Sequence, residues 1–363
     1  MPEGDKPGRL RGGHERTSDE GGVRADCRRA RTSSSEQEDV LLSNRFRLLL
    51  ILLLVAACSG GATTTTTGVV TTTTAGNPTT TAAPNPEFPV TVIAANGEVT
   101  ITSQPDAIVS MSATATEMLF AIGAGDQVVA VDSLSNHPPE APVTDLAAFT
   151  PSTEAIASYA PDLVVISFDS NDLLAGLTEL EIPTLLLPAA VTLDDVWAQF
   201  AALGGATGNG DEAAAAVTAI QADLDEVVAG VDLGSEPLSY YYELDPTYFS
   251  ATSSSFIGSV IGLLGLVNIA DPADADGAAF GYPQLTAEFI IAADPDLILL
   301  ADTICCGQSA AAVAARPGWE AMQAVVRGGV VEMNDDIASR WGPRIVVLLD
   351  QIADRAVELD AAA

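Results

Sequence analysis

The sequence predicts an α/β protein of two similar lobes, each built on a parallel sheet, and three observations predict it. The stretches TPSTEAIASYAPDLVVIS (Thr150–Ser167) and QLTAEFIIAADPDLILLA (Gln284–Ala301) share one pattern. A glutamate (Glu154, Glu288) is followed seven residues later by a proline (Pro161, Pro295), then by Asp-Leu and an apolar run. That is a short helix running into a buried strand. Elsewhere apolar runs alternate with roughly 10–15 helical residues, the spacing of parallel strands. Finally, 363 residues at 48% hydrophobic content can bury one large core or two ordinary lobes, and the apolar runs are too short for a polytopic membrane protein. The repeat puts one surface acid at matching places on each lobe, which suggests a clamp presenting both lobes to one partner.

Ahead of the lobes, Arg45 and Arg47 precede the apolar run Leu48–Ala57, which ends in VAAC (Val55–Cys58). A basic start, a short apolar run (45–57) and small residues before a cysteine form a secretory signal of the bacterial lipobox type. Cys58 is then the lipidated first residue, held at the membrane by about 0.8 kcal/mol per buried CH₂. Residues 1–44 fit no signal and are read as an extension ahead of a natural start near Val40 or Leu41. Segment 58–88, rich in Thr, Gly and Pro, is expected to be a disordered tether.

Phe88–Thr102 reads as a strand, a turn at Asn96-Gly97 and a second strand. Ala107–Met111 is a buried strand, and Thr114 and Glu117 stand at capping-box spacing before the helix Met118–Ile122. Strands at Val128–Val131, Asp162–Ser167 and Thr184–Leu187 complete a first lobe over 89–207. Leu193–Leu203 is amphipathic, and Gly204–Gly210 is expected to break it. The Ala-rich, glycine-free helix Asp211–Val228 is the connector, assigned 208–230. In the second lobe, 231–363, Leu238–Tyr242, Asp296–Leu300 and Gly329–Met333 are strands; Phe256–Leu264, Ala310–Ala315 and Pro343–Leu359 are helices.

Charge narrows the choice of partner. The net charge is −34, from 15 basic and 49 acidic residues; from Cys58 onward there are 5 Arg, no Lys and 40 acids, a balance of −35. No Lys or Arg lies between Arg47 and Arg316. Nucleic acid is excluded as a partner, because phosphate contacts need a basic face.

IVSMSATATEMLFAIGAGDQVVAVDSLSNHPPE (Ile108–Glu140), both glutamate units and RPGWEAMQAVVRGGVVEMNDDIASRWGPRIV (Arg316–Val346) resemble the periplasmic binding proteins for cobalamin, ferric siderophores and haem. Those are the substrate-binding components of ABC importers. The resemblance covers roughly Pro89–Asp360. It implies two Rossmann-like lobes with parallel sheets joined by a long connecting helix, with a small-molecule metal chelate held between them. It implies no enzymatic activity, no cofactor beyond the iron or cobalt of the ligand, and a monomer anchored outside the cell membrane. Glu154 and Glu288 would dock onto arginines of an ABC permease. The zinc and manganese carriers of this kind need several histidines; His137 is the only one after the signal, so no resident metal site is expected.

Ligands of open parallel sheets bind at the carboxyl ends of strands. This selects Ser112–Thr116, Asp132–His137 and Phe168–Asn171 in the first lobe and Tyr242–Tyr248, Phe280–Tyr282, Asp302–Cys306 and Asn334–Trp341 in the second, and within them His137, Phe168, Tyr242, Phe280, Tyr282, Arg340 and Trp341 as ligand candidates. His137 would pack, hydrogen-bond or ligate the metal of the ligand. The aromatic residues would wall a macrocycle or fill the core. Arg340, with Arg344, would select an anionic group or form a structural salt bridge. A field near −35 favours neutral or cationic cargo, such as a hydroxamate siderophore or a corrinoid, unless these two arginines offset it. Cys305 and Cys306 are adjacent on an exported chain, which leaves a strained vicinal disulfide or two unpaired thiols. The alternatives to an iron-siderophore or cobalamin carrier are a haem carrier of the same class and, from a different class, a ligand-sensing or hydrolase-like protein. No G-x-S-x-G nucleophile motif occurs to support a hydrolase.

Overall fold

Apolar runs bounded by capping residues alternate with helices through the whole described region, residues 88–362 of a computed structural model. Cys58, the signal and the segments 1–44 and 58–87 lie outside the described residues. The chain opens on an antiparallel hairpin of β1 (Val90–Ala94) and β2 (Gly97–Ile101). Gly97 closes its turn at φ +102°, a conformation open to glycine at no steric cost. The Asn96 amide pins the hairpin to a sheet edge, donating to Thr184 O (2.9 Å) and accepting from Leu186 N (3.0 Å).

The first lobe comprises β3 (Ile108–Met111), α1 (Ala113–Ala121), β4 (Val128–Val131), α2 (Thr153–Ala157), β5 (Leu163–Ile166), α3 (Leu173–Glu179) and β6 (Thr184–Leu186). Its sheet is parallel, in the order β4-β3-β5-β6. All of β3 and β5 is buried, as central parallel strands covered on both faces must be. The expected capping box at Thr114 is not formed. Ser112 caps α1, accepting from Ala115 N, and Glu117 lies within the helix, buried and otherwise engaged.

Next come α4 (Leu193–Thr207), opened by a capping box between Thr192 and Asp195, and the connector α5 (Gly210–Ala229). The glycines expected to break α4 do not. The helix runs through Gly204 and Gly205 and stops at Gly208, at φ +82°. Gly204 serves close helix crossing instead: a Cβ there would stand 2.5 Å from the Ala213 Cβ of α5. At twenty residues α5 is about 30 Å long.

The second lobe comprises β7 (Ser239–Glu243), α6 (Phe256–Ile261), β8 (Val267–Asn268), α7 (Ala287–Ala293), β9 (Leu297–Leu300), α8 (Thr303–Cys306), α9 (Ala310–Ala314), α10 (Gln323–Val326), β10 (Val330–Glu332), α11 (Asp335–Ala338) and α12 (Ile345–Ala361). Its parallel order is β10-β9-β7-β8. One apolar cluster runs from Ile101 and Met118 through Phe200 and Leu224 to Leu349 and Ile352, so the lobes share a core through α4, α5 and α12. A smaller cluster lies on the other face of each sheet. Among the described residues no helix is long and apolar enough to cross a membrane.

Candidate functional site

The repeated acids occupy matching local settings. Ser152 and Thr286 cap α2 and α7, each hydroxyl accepting at 3.2 Å from the backbone N–H three residues on, at Ala155 and Phe289. Glu154 and Glu288 therefore stand at the same position of a first turn, exposed, at the positive end of the helix. Its own backbone N–H and the Ser152 hydroxyl, 3.0 Å away, hold the Glu154 carboxyl below its ordinary range.

At the carboxyl ends of its strands the first lobe is lined by hydroxyls. Thr116 Oγ1 donates to Ser110 Oγ (2.9 Å) and lies 3.0 Å from Ser135 Oγ, which donates to Asp132 (2.8 Å). The Asp132 carboxylate also accepts from Leu134 N (2.7 Å). This buried network fixes the loop after β4, which carries half-buried His137 and leaves Leu134 exposed. Beyond β5, exposed Phe168 stacks on exposed Phe149 with ring centroids 5.4 Å apart. Ser170 ties the two segments by donating to Phe149 O (2.9 Å).

The second lobe carries ions at the equivalent place. Glu243, at the end of β7, is fully buried and held by both terminal nitrogens of Arg316. The guanidinium lies 4.5 Å from the Trp319 ring centre and 5.7 Å from that of Tyr248. Asp302, just beyond β9, is also fully buried, and its carboxylate finds no hydrogen-bond partner among the described residues. Burial, reinforced by Glu243, pushes its pKa up to about 7.

In the loop before α7, the Asp274 carboxylate accepts from Ala279 N and Gly281 N, both at 2.7 Å. The two bonds bracket Phe280, which takes φ +53° and leaves 88% of its surface in water. Phe280 is thus a large apolar ring held out of the core by two hydrogen bonds to its neighbours' backbone. Tyr282 is exposed beside it, and Ile304 is exposed on α8.

Three expected ligand residues lie elsewhere than the sequence suggested. Tyr242 is fully buried and its hydroxyl donates to Ala338 O (2.8 Å), because β7 is covered on both faces: Tyr240 and Tyr242 enter the shared core and Tyr241 the outer one. Trp341 packs half-buried on the shared core, its indole N–H donating to Gln199 Oε1 (2.9 Å). Arg340 is spent on the other lobe. It donates to Glu117 Oε1 (2.8 Å), Asn136 Oδ1 (3.1 Å), Leu134 O (2.8 Å) and, on its own lobe, Asp336 Oδ1 (2.8 Å). Arg344 donates to both oxygens of Glu117, at 3.0 and 2.7 Å, and Asn136 donates to Asp336 Oδ2 at 2.6 Å. A largely buried, hydrogen-bonded ion cluster centred on Glu117 thus ties α1 of the first lobe to segment 336–344 of the second.

Cys305 and Cys306 are free thiols, both exposed. They occupy successive positions of the single turn α8, where side chains diverge by about 100°, so they are not bridged. Partial desolvation, then hydrogen bonding with Cys306 and Asp335, raises the Cys305 pKa.

The strand-end loops leave Phe168, Phe280 and Tyr282 exposed and His137 half-buried; Leu134 and Ile304, inside the segments selected from the sequence, are exposed as well, and so is Phe149, which sequence reasoning missed. Phe149 had a usable signal, as an aromatic directly before the first repeat unit. Two parallel-sheet lobes joined by one helix, with exposed apolar residues on their strand-end loops, define a two-lobed solute-binding protein. The family described as "Periplasmic binding protein" matches residues 108–337, and the chain belongs to it. It is 32% identical over 278 residues to the cobalamin-binding protein of Halobacterium salinarum, covering 74% of each chain. It is 29% identical over 277 residues to an uncharacterized ABC transporter substrate-binding lipoprotein, YvrC, of Bacillus subtilis, covering 74% of this chain and 85% of that one. Among solved structures it is similar to the periplasmic vitamin B12 binding protein BtuF of Vibrio cholerae, with TM-score 0.57 and 26% identity, over 70% of this chain and 97% of that one. The heme binding protein HmuT shares the fold, with TM-score 0.61 at 18% identity, over 77% and 93% of the chains.

Proposed function

We propose that this protein is the extracytoplasmic substrate-binding component of an ABC importer, which captures a cobalamin-type or iron-siderophore chelate between its lobes and delivers it to the permease. One observation carries this reading beyond the family. Glu154 and Glu288 present carboxylates in the same helical setting, one per lobe, on lobes joined by a shared core and the Glu117 cluster. Two exposed charges at a set spacing give register and encounter rate rather than strong affinity, which suits a transient dock on a permease. The exposed rings of Phe149, Phe168, Phe280 and Tyr282 supply apolar contacts for a macrocycle or chelate. The kinship to proteins named for cobalamin and vitamin B12 favours a corrinoid. The protein works as a monomeric carrier without catalysis and without a cofactor of its own, the metal arriving inside the ligand. Lipid on Cys58 holds it at the outer face of the cell membrane, in keeping with the lipoprotein relative.

The test is Glu154→Ala and Glu288→Ala, singly and together. Cyanocobalamin titration by intrinsic fluorescence is expected to return an unchanged Kd, while uptake by cells carrying the cognate permease falls at least about tenfold in the double variant, roughly 0.7 kcal/mol per acid. A collapse of ligand affinity would instead make these acids pocket or folding residues.

A further inference from the structure

The cleft end of this protein contains positive charge but offers none of it to a ligand. From Phe88 onward the chain has five arginines and no lysine. All five are paired with acids. Arg327, on Asp296 at 3.6 Å, sits where β9 begins, at the opposite end of the sheet from the ligand loops, and Arg355 pairs with Glu358 on α12. The other three stand near the strand ends and, among the described residues, are the only side chains there that could meet an anion with a permanent charge. Arg316 is closed off by Glu243 and Gln308 and lies against two rings. Arg340 spends both terminal nitrogens on four acceptors. Arg344 is turned onto both oxygens of Glu117.

The local charge balance is neutral or negative. Arg340 and Arg344 are matched by Glu117 and Asp336, and Arg316 by Glu243, so no arginine is left in excess. Of the helix starts that open toward this end, α1 and α6 are capped by the hydroxyls of Ser112 and Ser255, while at α3 and α8 the N–H groups of Leu174, Ile304 and Cys305 are taken by the carboxylates of Asp169 and Asp335. Beside acids and neutral polar groups such as Asp169 and Asn171, the loops expose the apolar and aromatic side chains Leu134, Phe168, Phe280, Tyr282 and Ile304. A carboxylate or catecholate group entering here would lose its water without gaining a cation, which costs several kcal/mol. Releasing an arginine would leave a buried acid unpaired, which costs about as much.

We propose that the cargo is a metal chelate of neutral or positive net charge presenting an apolar face, and that the cleft rejects anionic chelates through the internal commitment of its arginines. This rests on the metal-chelate reading given above. It separates the candidates that fold and kinship leave together: a corrinoid rimmed by neutral amides or a cationic hydroxamate complex is accepted, whereas a porphyrin with two free propionates or a ferric tris-catecholate is refused.

The experiment is a fluorescence titration of the wild-type protein with cyanocobalamin, ferrioxamine B, haemin and ferric enterobactin, at 0.15 and 0.5 M NaCl. At least one of the first two is expected to bind, and both anionic ligands to bind at least about 100-fold more weakly, the ratio set by roughly 2.7 kcal/mol of unpaired charge. At the higher salt the screening length shrinks to about 4 Å, and the gap is expected to stay above about tenfold, because the effect is local. Haemin or ferric enterobactin binding as tightly as the best neutral or cationic ligand overturns the proposal while leaving the carrier reading intact. A gap that vanishes at 0.5 M salt assigns selectivity to the overall charge and overturns the role given to the arginines. Binding of none of the four removes the metal-chelate reading, and this proposal with it.

Discussion

The two lobes are alike where the backbone must be closed and unlike where a ligand would be met. In the first, the Asp162 carboxylate accepts from the N–H groups of Asp106 and Ala107, at 2.9 and 3.1 Å. In the second, Asp296 accepts from the N–H and hydroxyl of Ser239, both at 2.9 Å. Each aspartate returns its own N–H to the same strand start, at Ala107 O and Ser239 O. The residue before each Pro-Asp pair, Ala160 or Asp294, takes a left-handed φ, of 50° or 44°. The shared motif is therefore a device for ending a helix and clamping the first strand of a lobe. At the opposite ends of the strands the first lobe has serine and threonine hydroxyls that lead to the one carboxylate of Asp132, and the second has Glu243, Asp302 and the guanidinium of Arg316. Backbone closure allows few chemical solutions and so recurs; the strand-end loops are free to diverge.

This contrast can be broken or sharpened by substitution. The largest effect is expected at Glu117, the one first-lobe acid that two second-lobe arginines share. Glu117→Gln leaves two poorly hydrated guanidinium groups facing a neutral amide and should cost on the order of 3–5 kcal/mol, read as a lower urea midpoint. A loss below about 1 kcal/mol would show that the apolar core alone holds the lobes together.

Asp302 comes next, and its effect depends on pH. The folded chain keeps this proton up to about pH 7, whereas the unfolded chain releases it near 4. Between those values the folded state binds more protons, so its stability falls as pH rises through the window and levels off above it. Asp302→Asn cannot ionise; it should flatten that slope and gain up to about 4 kcal/mol over the wild type at pH 8. Denaturant melts at pH 5 and pH 8 decide it, and an unchanged slope would show that Asp302 ionises normally.

The paired clamps give a smaller and symmetrical effect. Asp162→Ala and Asp296→Ala should each cost about 1–3 kcal/mol and agree to within a factor of two, since each frees two backbone or hydroxyl donors. Unequal costs would mean that the repeat is similar in sequence but not in work. The smallest effect on stability belongs to Glu154→Ala and Glu288→Ala, under about 1 kcal/mol each, since both sit exposed in a first helical turn.

Much of this was legible in the residues. The buried strands, the connector and both glutamate helices follow from apolar runs and capping residues that act within a few positions of one another. The exposed aromatics Phe168, Phe280 and Tyr282 were also within reach, because the carboxyl ends of strands could be counted off. The failures share a cause. Tyr242 and Arg340 stand at strand ends just as the pocket candidates do, but their partners, Ala338 O and Glu117, lie 96 and 223 residues away. Gly204 looked like a helix breaker because the helix pressing on it could not be seen from its neighbours.

By itself the sequence determined a two-lobed α/β protein with a repeated, backbone-clamping unit and a strongly acidic surface poor in positive charge. Those properties rest on local spacing and on composition, which need no third dimension. Only the tertiary structure decided what the few arginines do. An arginine beside a tryptophan reads equally well as a ligand contact or as a salt bridge, and the choice turns on whether a carboxylate from the other lobe arrives within 3 Å of it. Glu117 does, at 2.8 Å from Arg340 and 2.7 Å from Arg344. That meeting converts two candidate anion receptors into the fastening between the lobes.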